Sequence, residues 1–158
     1  MNIRTTAVLV ILIVAIGRAD AQSDEPKLVL SIGGGLPASP NITVELLGAG
    51  DLHATGSGLP FTDSGLTKFE HHRDIGKAAS ARLFALANQA AAEWQGTGEP
   101  WPDCKGAELE IQGGTKPIHI GSGCISGSWL SRSSIKRFLA SLDQLLPSGW
   151  TVSEVINF

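Results

Sequence analysis

The stretch from Ala107 to Ser122 reads AELEIQGGTKPIHIGS. Apolar and polar residues alternate on both sides of Gly113-Gly114, the period of a strand with one buried face. Ala107, Leu109 and Ile111 point one way, Glu108 and Glu110 the other; on the return, Ile118 and Ile120 share the apolar face and His119 the polar one. A Gly-Gly pair between two such runs is a hairpin signal, because glycine accepts the positive φ that a two-residue turn demands. That turn predicts Leu109 opposite Ile118 and Glu108 opposite His119, a register that keeps every apolar side chain on one face. A hairpin alone is marginal, so this one needs further strands beside it and a cover over its apolar face.

The rest of the chain supplies both. Upstream, Lys27–Ile32, Asn41–Leu47 and Leu52–Thr55 read as strands, with Gly48–Asp51 as a turn and Thr67–Arg73 as a weaker strand after a loop over 56–65. Ala79, Leu83, Leu86, Ala87, Ala90 and Trp94 recur at helical spacing and predict a helix over 77–94, capped by Asp74 or Gly76. Downstream, Ile135, Phe138, Leu139, Leu142, Leu145 and Leu146 predict a second helix over 133–146, with Ser131 as its N-cap and Pro147 and Gly149 ending it. Trp150–Val152 reads as an extended tail. The fold class that follows is α+β: a four- to six-stranded, mostly antiparallel sheet covered by two helices.

The two halves, about 27–94 and 105–146, match when superposed. Val44-Glu45-Leu46 corresponds to Leu109-Glu110-Ile111 at an offset of 65 residues, and His53 to His119 at an offset of 66. The helix run Arg82–Gln89 corresponds to Arg137–Gln144 at an offset of 55, so the first half carries eleven more residues, around Asp63–Arg73. The pattern is that of a ββα unit used twice.

Residues 1–21 have the three zones of a secretory signal: Arg4, the apolar run Ala7–Ile16, and the small-residue pattern Ala19-x-Ala21. The run is about half the length that spans a bilayer, so cleavage after Ala21 is expected, with no membrane anchor left behind. The mature chain, 22–158, is then one α+β domain of about 137 residues. It keeps 10 basic and 14 acidic residues, a balance that argues against nucleic acid or an anionic membrane as the partner. Cys104 and Cys124 are the only cysteines. An even count in an exported chain implies a disulfide; the predicted register sets Cys104 opposite Gly123, beside Cys124. Their spacing is not Cys-x-x-Cys, so the bond is expected to be structural and not redox-active.

No catalytic set stands out. Zinc would use His71 or His72 with Glu70 or Asp74, but adjacent residues of a strand face opposite ways and His71 and His72 cannot both reach one ion; no metal or other cofactor is expected. His119 with Glu108 and Glu110 reads as a solvated cross-strand pair, or as the centre of a small secreted hydrolase. Gly121-Ser122-Gly123 lacks the Gly-x-Ser-x-Gly elbow of a serine hydrolase, and Gly33-Gly34-Gly35 lacks the lysine of a phosphate loop. Glu45, Glu70, Glu108 and Glu110 do not fix a glycosidase pair by spacing alone. Asn41-Ile42-Thr43 is a glycosylation sequon in a eukaryotic secretory route. Trp101 and Trp129 flank the cysteines, and a disulfide would gather them at one end of the hairpin, as a satellite core or as an aromatic contact for a partner.

The ββα-ββα order, the signal segment and the cysteine pair together resemble bacterial exported domains of unknown function. That resemblance implies a periplasmic or secreted α+β domain and supplies no catalytic residues. The expected function is that of an exported, non-enzymatic binding protein with a protein partner, of the inhibitor or immunity kind, contacting it through Trp101 and Trp129.

Overall fold

The computed structural model describes residues 25–34, 39–62, 65–94, 105–113, 117–122, 125 and 130–157. Six strands form one sheet: β1 (Lys27–Gly34), β2 (Asn41–Leu47), β3 (Asp51–Thr62), β4 (Gly65–Asp74), β5 (Lys105–Gln112) and β6 (Ile118–Ser122). Their spatial order is β4-β3-β2-β1-β5-β6, and every neighbouring pair is antiparallel. The helices are α1 (Lys77–Glu93), α2 (Ser133–Asp143) and a short α3 (Val152–Asn157). The α+β class, the antiparallel sheet and the two long helices are as expected.

Strict alternation places the core on one side. Leu28, Leu30 and Ile32 of β1, Ile42, Val44 and Leu46 of β2, Leu52 and Ala54 of β3, and Ala107, Leu109 and Ile111 of β5 are all buried. They join one apolar cluster with Leu83, Ala87 and Ala90 of α1 and Ile135, Phe138, Leu139 and Leu142 of α2. Each large aliphatic side chain taken fully out of water contributes roughly 1.5–3 kcal/mol. The helices therefore cover one face of the sheet, and the other face carries the alternate, polar residues.

Three expectations change. The β5–β6 hairpin pairs Leu109 with Ile120, Ile111 with Ile118 and Glu110 with His119. The connection is thus two residues longer than a Gly113-Gly114 turn. A slip of two leaves each side chain on its expected face, so alternation alone could not distinguish the two registers. The segment read as a loop over 56–65 belongs largely to β3 and β4, whose register shifts between Ser57 and Phe61. Its glycines have structural reasons. A Cβ on Gly56 would lie 2.3 Å from Cε1 of Phe69, and Gly58 has φ +105 with its Cβ position 2.5 Å from Pro40 Cα; both mark close approach at an irregularity, not the end of a strand. Of the tail read as extended, Trp150 and Thr151 lie outside any helix, but Val152 opens α3, with Val152 and Val155 fully buried.

The starts of α2 and α3 are capped by side chains from preceding elements, and that of α1 has no side-chain cap. Gly76 is the N-cap of α1, and Asp74 Oδ1 accepts its N–H at 2.8 Å. The N-cap of α2 is Arg132, not Ser131, and its own side chain makes no capping bond. The cap comes from the end of α1: the Glu93 carboxylate accepts the Ser134 N–H at 3.0 Å and the Ser134 hydroxyl at 2.9 Å. Asp143, the last residue of α2, does the same for α3, accepting the Val152 N–H at 2.6 Å.

The strand order has an approximate twofold normal to the sheet, between β1 and β2. It exchanges β1 with β2, β3 with β5, β4 with β6, and α1 with α2. The sequence match instead set β2–β3 against β5–β6. Those hairpins open to opposite sides of β1, with both helices on one face, and so have opposite hands. The hairpin that corresponds to β5–β6 in the topology is β3–β4.

Candidate functional site

The uncovered face is an ordered array. Cross-strand pairing sets His72, His53, Glu45, Val29, Glu110 and His119 in one row across all six strands. The next row holds Glu70, Thr55, Thr43, Ser31 and Glu108. Two shallow hollows lie on this face. One is lined by Glu45, Asp51, His53, His72 and Asp74, the other by Ser31, Asn41, Thr43, Glu108 and Gly121. A more apolar hollow, with Phe84, Ile111 and Ile118 in its wall, lies beside α1.

The densest chemistry is at the β3–β4 end. His53 and His72 are directly opposed, and their rings stack with centroids 4.1 Å apart and planes 9° from parallel. Glu70 is two residues before His72 in the same strand, hence on the same face. Its Oε1 lies 3.2 Å from Nε2 of each histidine. The hydrogen bonds from His72 and then His53 hold the Glu70 carboxyl below the usual carboxylate range. Whatever this arrangement contributes is present above the ordinary glutamate pKa and is lost as pH falls through the lowered one. The Glu70 side chain is largely exposed, so the arrangement bears on chemistry more than on stability.

At the opposite edge, His119 Nε2 lies 3.0 Å from Glu108 Oε1, with side chains 64% and 55% exposed. Glu110 stands across from His119 in register and accepts a hydrogen bond from Gln112. This set is a solvated pair on an open face. His71 faces the helix side, opposite Ala54, and its buried Nε2 has no hydrogen-bond partner. The opposite facing of His71 and His72 is as the strand period requires.

Residue reading singled out Glu70 and His72 but not His53, which comes from a strand whose pairing with β4 was not visible. Trp101, Trp129, Cys104, Cys124 and the segment 1–21 lie outside the described residues. Among the described residues, no helix is long and apolar enough to cross a membrane. The chain matches no protein-family model, and no curated protein shows significant similarity to it.

Proposed function

We propose that the mature chain is an exported, non-enzymatic binding protein of the envelope or secreted space, of the inhibitor or immunity kind. The observation that carries this reading is the one-sided architecture. Helices bury one face of a six-stranded sheet, while the other is a broad, hydrogen-bond-rich surface with its side chains held in register. A surface pre-ordered by backbone pairing costs little entropy to present to a protein partner. The proposed aromatic anchors are Trp101 and Trp129, in the loops that carry the two cysteines.

The reading includes a Cys104–Cys124 disulfide. Its support is that the residues following the two cysteines are already joined, with Ile125 N–H donating to the Lys105 carbonyl at 2.9 Å. It also includes an internal duplication, whose support is the sequence match alone, since the approximate twofold of the strand order relates β5–β6 to β3–β4 and not to the matched β2–β3. A small secreted hydrolase using His119 with Glu108 and Glu110 is the alternative, and the wide exposure of that set favours it less.

The protein purified after export is expected to begin at Gln22 by intact mass and to show no free thiol before reduction. Two titratable thiols would remove the disulfide. For binding, the partner recovered from an envelope extract of the native host is titrated against wild type, Trp129→Ala and His119→Ala. Trp129→Ala is expected to weaken binding by at least about 2 kcal/mol, the size of a hot-spot loss, with an unchanged melting temperature. Undiminished affinity in a folded Trp129→Ala protein would refute the anchor. Turnover abolished by His119→Ala would favour the hydrolase.

A further inference from the structure

We propose that His53, Glu70 and His72 form a binding site for a divalent transition metal, zinc in the first instance, on the outer face of the β3–β4 hairpin. This goes beyond the binding-protein reading and does not depend on it.

The argument starts from the spacing of donor atoms. The two imidazole nitrogens and the carboxylate oxygen all lie within 4.8 Å of one another. Zinc bound tetrahedrally at 2.0–2.1 Å sets its ligand atoms about 3.3 Å apart. Glu70 Oε1 is 3.2 Å from both Nε2 atoms, so two of the three edges already have that length. Near-parallel rings do not aim their lone pairs at one point, so each imidazole must turn to share an ion. The His53 and His72 side chains are 38% and 69% exposed, so His72 can turn in solvent, while His53 turns by giving up part of the ring stacking. The backbone does the harder part: cross-strand pairing of His53 with His72, and the two-residue step from Glu70, bring the three donors together before any ion arrives.

The donor set selects the ion. Two imidazoles with one carboxylate suit zinc, copper or nickel, whereas calcium and magnesium take oxygen-rich sites. Three protein ligands leave a fourth position for water or for a donor from a bound partner. The surrounding hollow sets three carboxylates, Glu45, Asp51 and Asp74, against one cation, Arg73. Asp51 and Asp74 stand directly opposite each other one step along the same face, and like charges so placed repel; an ion at the neighbouring pair offsets that repulsion. Glu45, across from His53 on its other side, adds to the negative field, although Lys27 pairs with it at 3.1 Å.

The test is calorimetric titration of the mature chain with zinc ions alone, in metal-free neutral buffer, alongside His53→Ala, His72→Ala, Glu70→Gln and His119→Ala. The expected result is one ion per chain in the micromolar range. His53→Ala and His72→Ala should each weaken binding at least about tenfold, the low end of what losing even an outer partner of a metal site costs. Glu70→Gln should weaken it too, and His119→Ala should leave it unchanged. Because His72, Glu70 and His119 are exposed and His53 lies on the polar face outside the apolar core, circular dichroism should show all four variants folded. In nitrogen NMR, the ring signals of His53 and His72 should move on titration while those of His119 stay. The proposal is overturned by the absence of saturable binding below the millimolar range. Binding lost in His119→Ala but kept in His72→Ala would overturn it equally.

Discussion

Phe138→Ala is expected to cost about 3–5 kcal/mol of folding free energy, the range for truncating a fully enclosed phenylalanine. Phe138 has no solvent exposure and shares the apolar cluster with β1, β2, β5 and α1. It stands on the covering side of the sheet, and among the described residues the core lies in one layer between sheet and helices. Truncation there leaves a cavity that the regular sheet is poorly able to close. For a domain whose total stability is about 5–15 kcal/mol, that is a large share of the whole. Urea denaturation of wild type and variant should show a lower midpoint with an unchanged slope. Phe138→Leu should recover part of the loss by refilling the volume. A Phe138→Ala loss below about 1 kcal/mol would mean that the ring is not the centre of this layer.

That core was readable because its residues repeat with the period of their elements. Leu28, Leu30 and Ile32 alternate, as do Ile42, Val44 and Leu46, while Ile135, Phe138, Leu139 and Leu142 follow the helical spacing. Each pattern reports a buried face, and all of those faces are buried. What alternation does not report is which residue lies opposite which. The β5–β6 register therefore slipped by two without changing any side chain's face, and the long β3–β4 pairing was hidden by glycines at 56 and 58. The histidine cluster was lost for the same reason. Glu70 and His72 are near in sequence and share a face, but His53 joins them only through the register of β3 with β4. A site assembled across strands becomes legible only when the pairing is known.

The helix caps illustrate a related limit and supply the second large effect. Residue reading placed a cap at Ser131, on the assumption that a helix start is satisfied from its own sequence. In the structure Glu93, at the end of the preceding helix, supplies it. No local signal marks such a cap, since Glu93 lies 41 residues before Ser134. Glu93→Ala is expected to destabilise the fold by about 1–3 kcal/mol. The loss of an N-cap acceptor costs roughly 0.5–2 kcal/mol, and removing a carboxylate from the positive end of a helix adds about 0.3–1 kcal/mol. Ser134 is itself only 7% exposed, so water is poorly placed to replace the lost acceptor for its N–H and hydroxyl. Glu93→Gln keeps one oxygen acceptor without the charge and should lose about half as much. Arg132 donates to the Glu93 backbone carbonyl, so that contact survives both substitutions and keeps α1 and α2 joined. A double-mutant cycle of Glu93→Ala with Ser134→Ala should show a coupling of about 1 kcal/mol or more, read from urea midpoints. Additivity within about 0.3 kcal/mol would show that the two residues are neighbours without being partners.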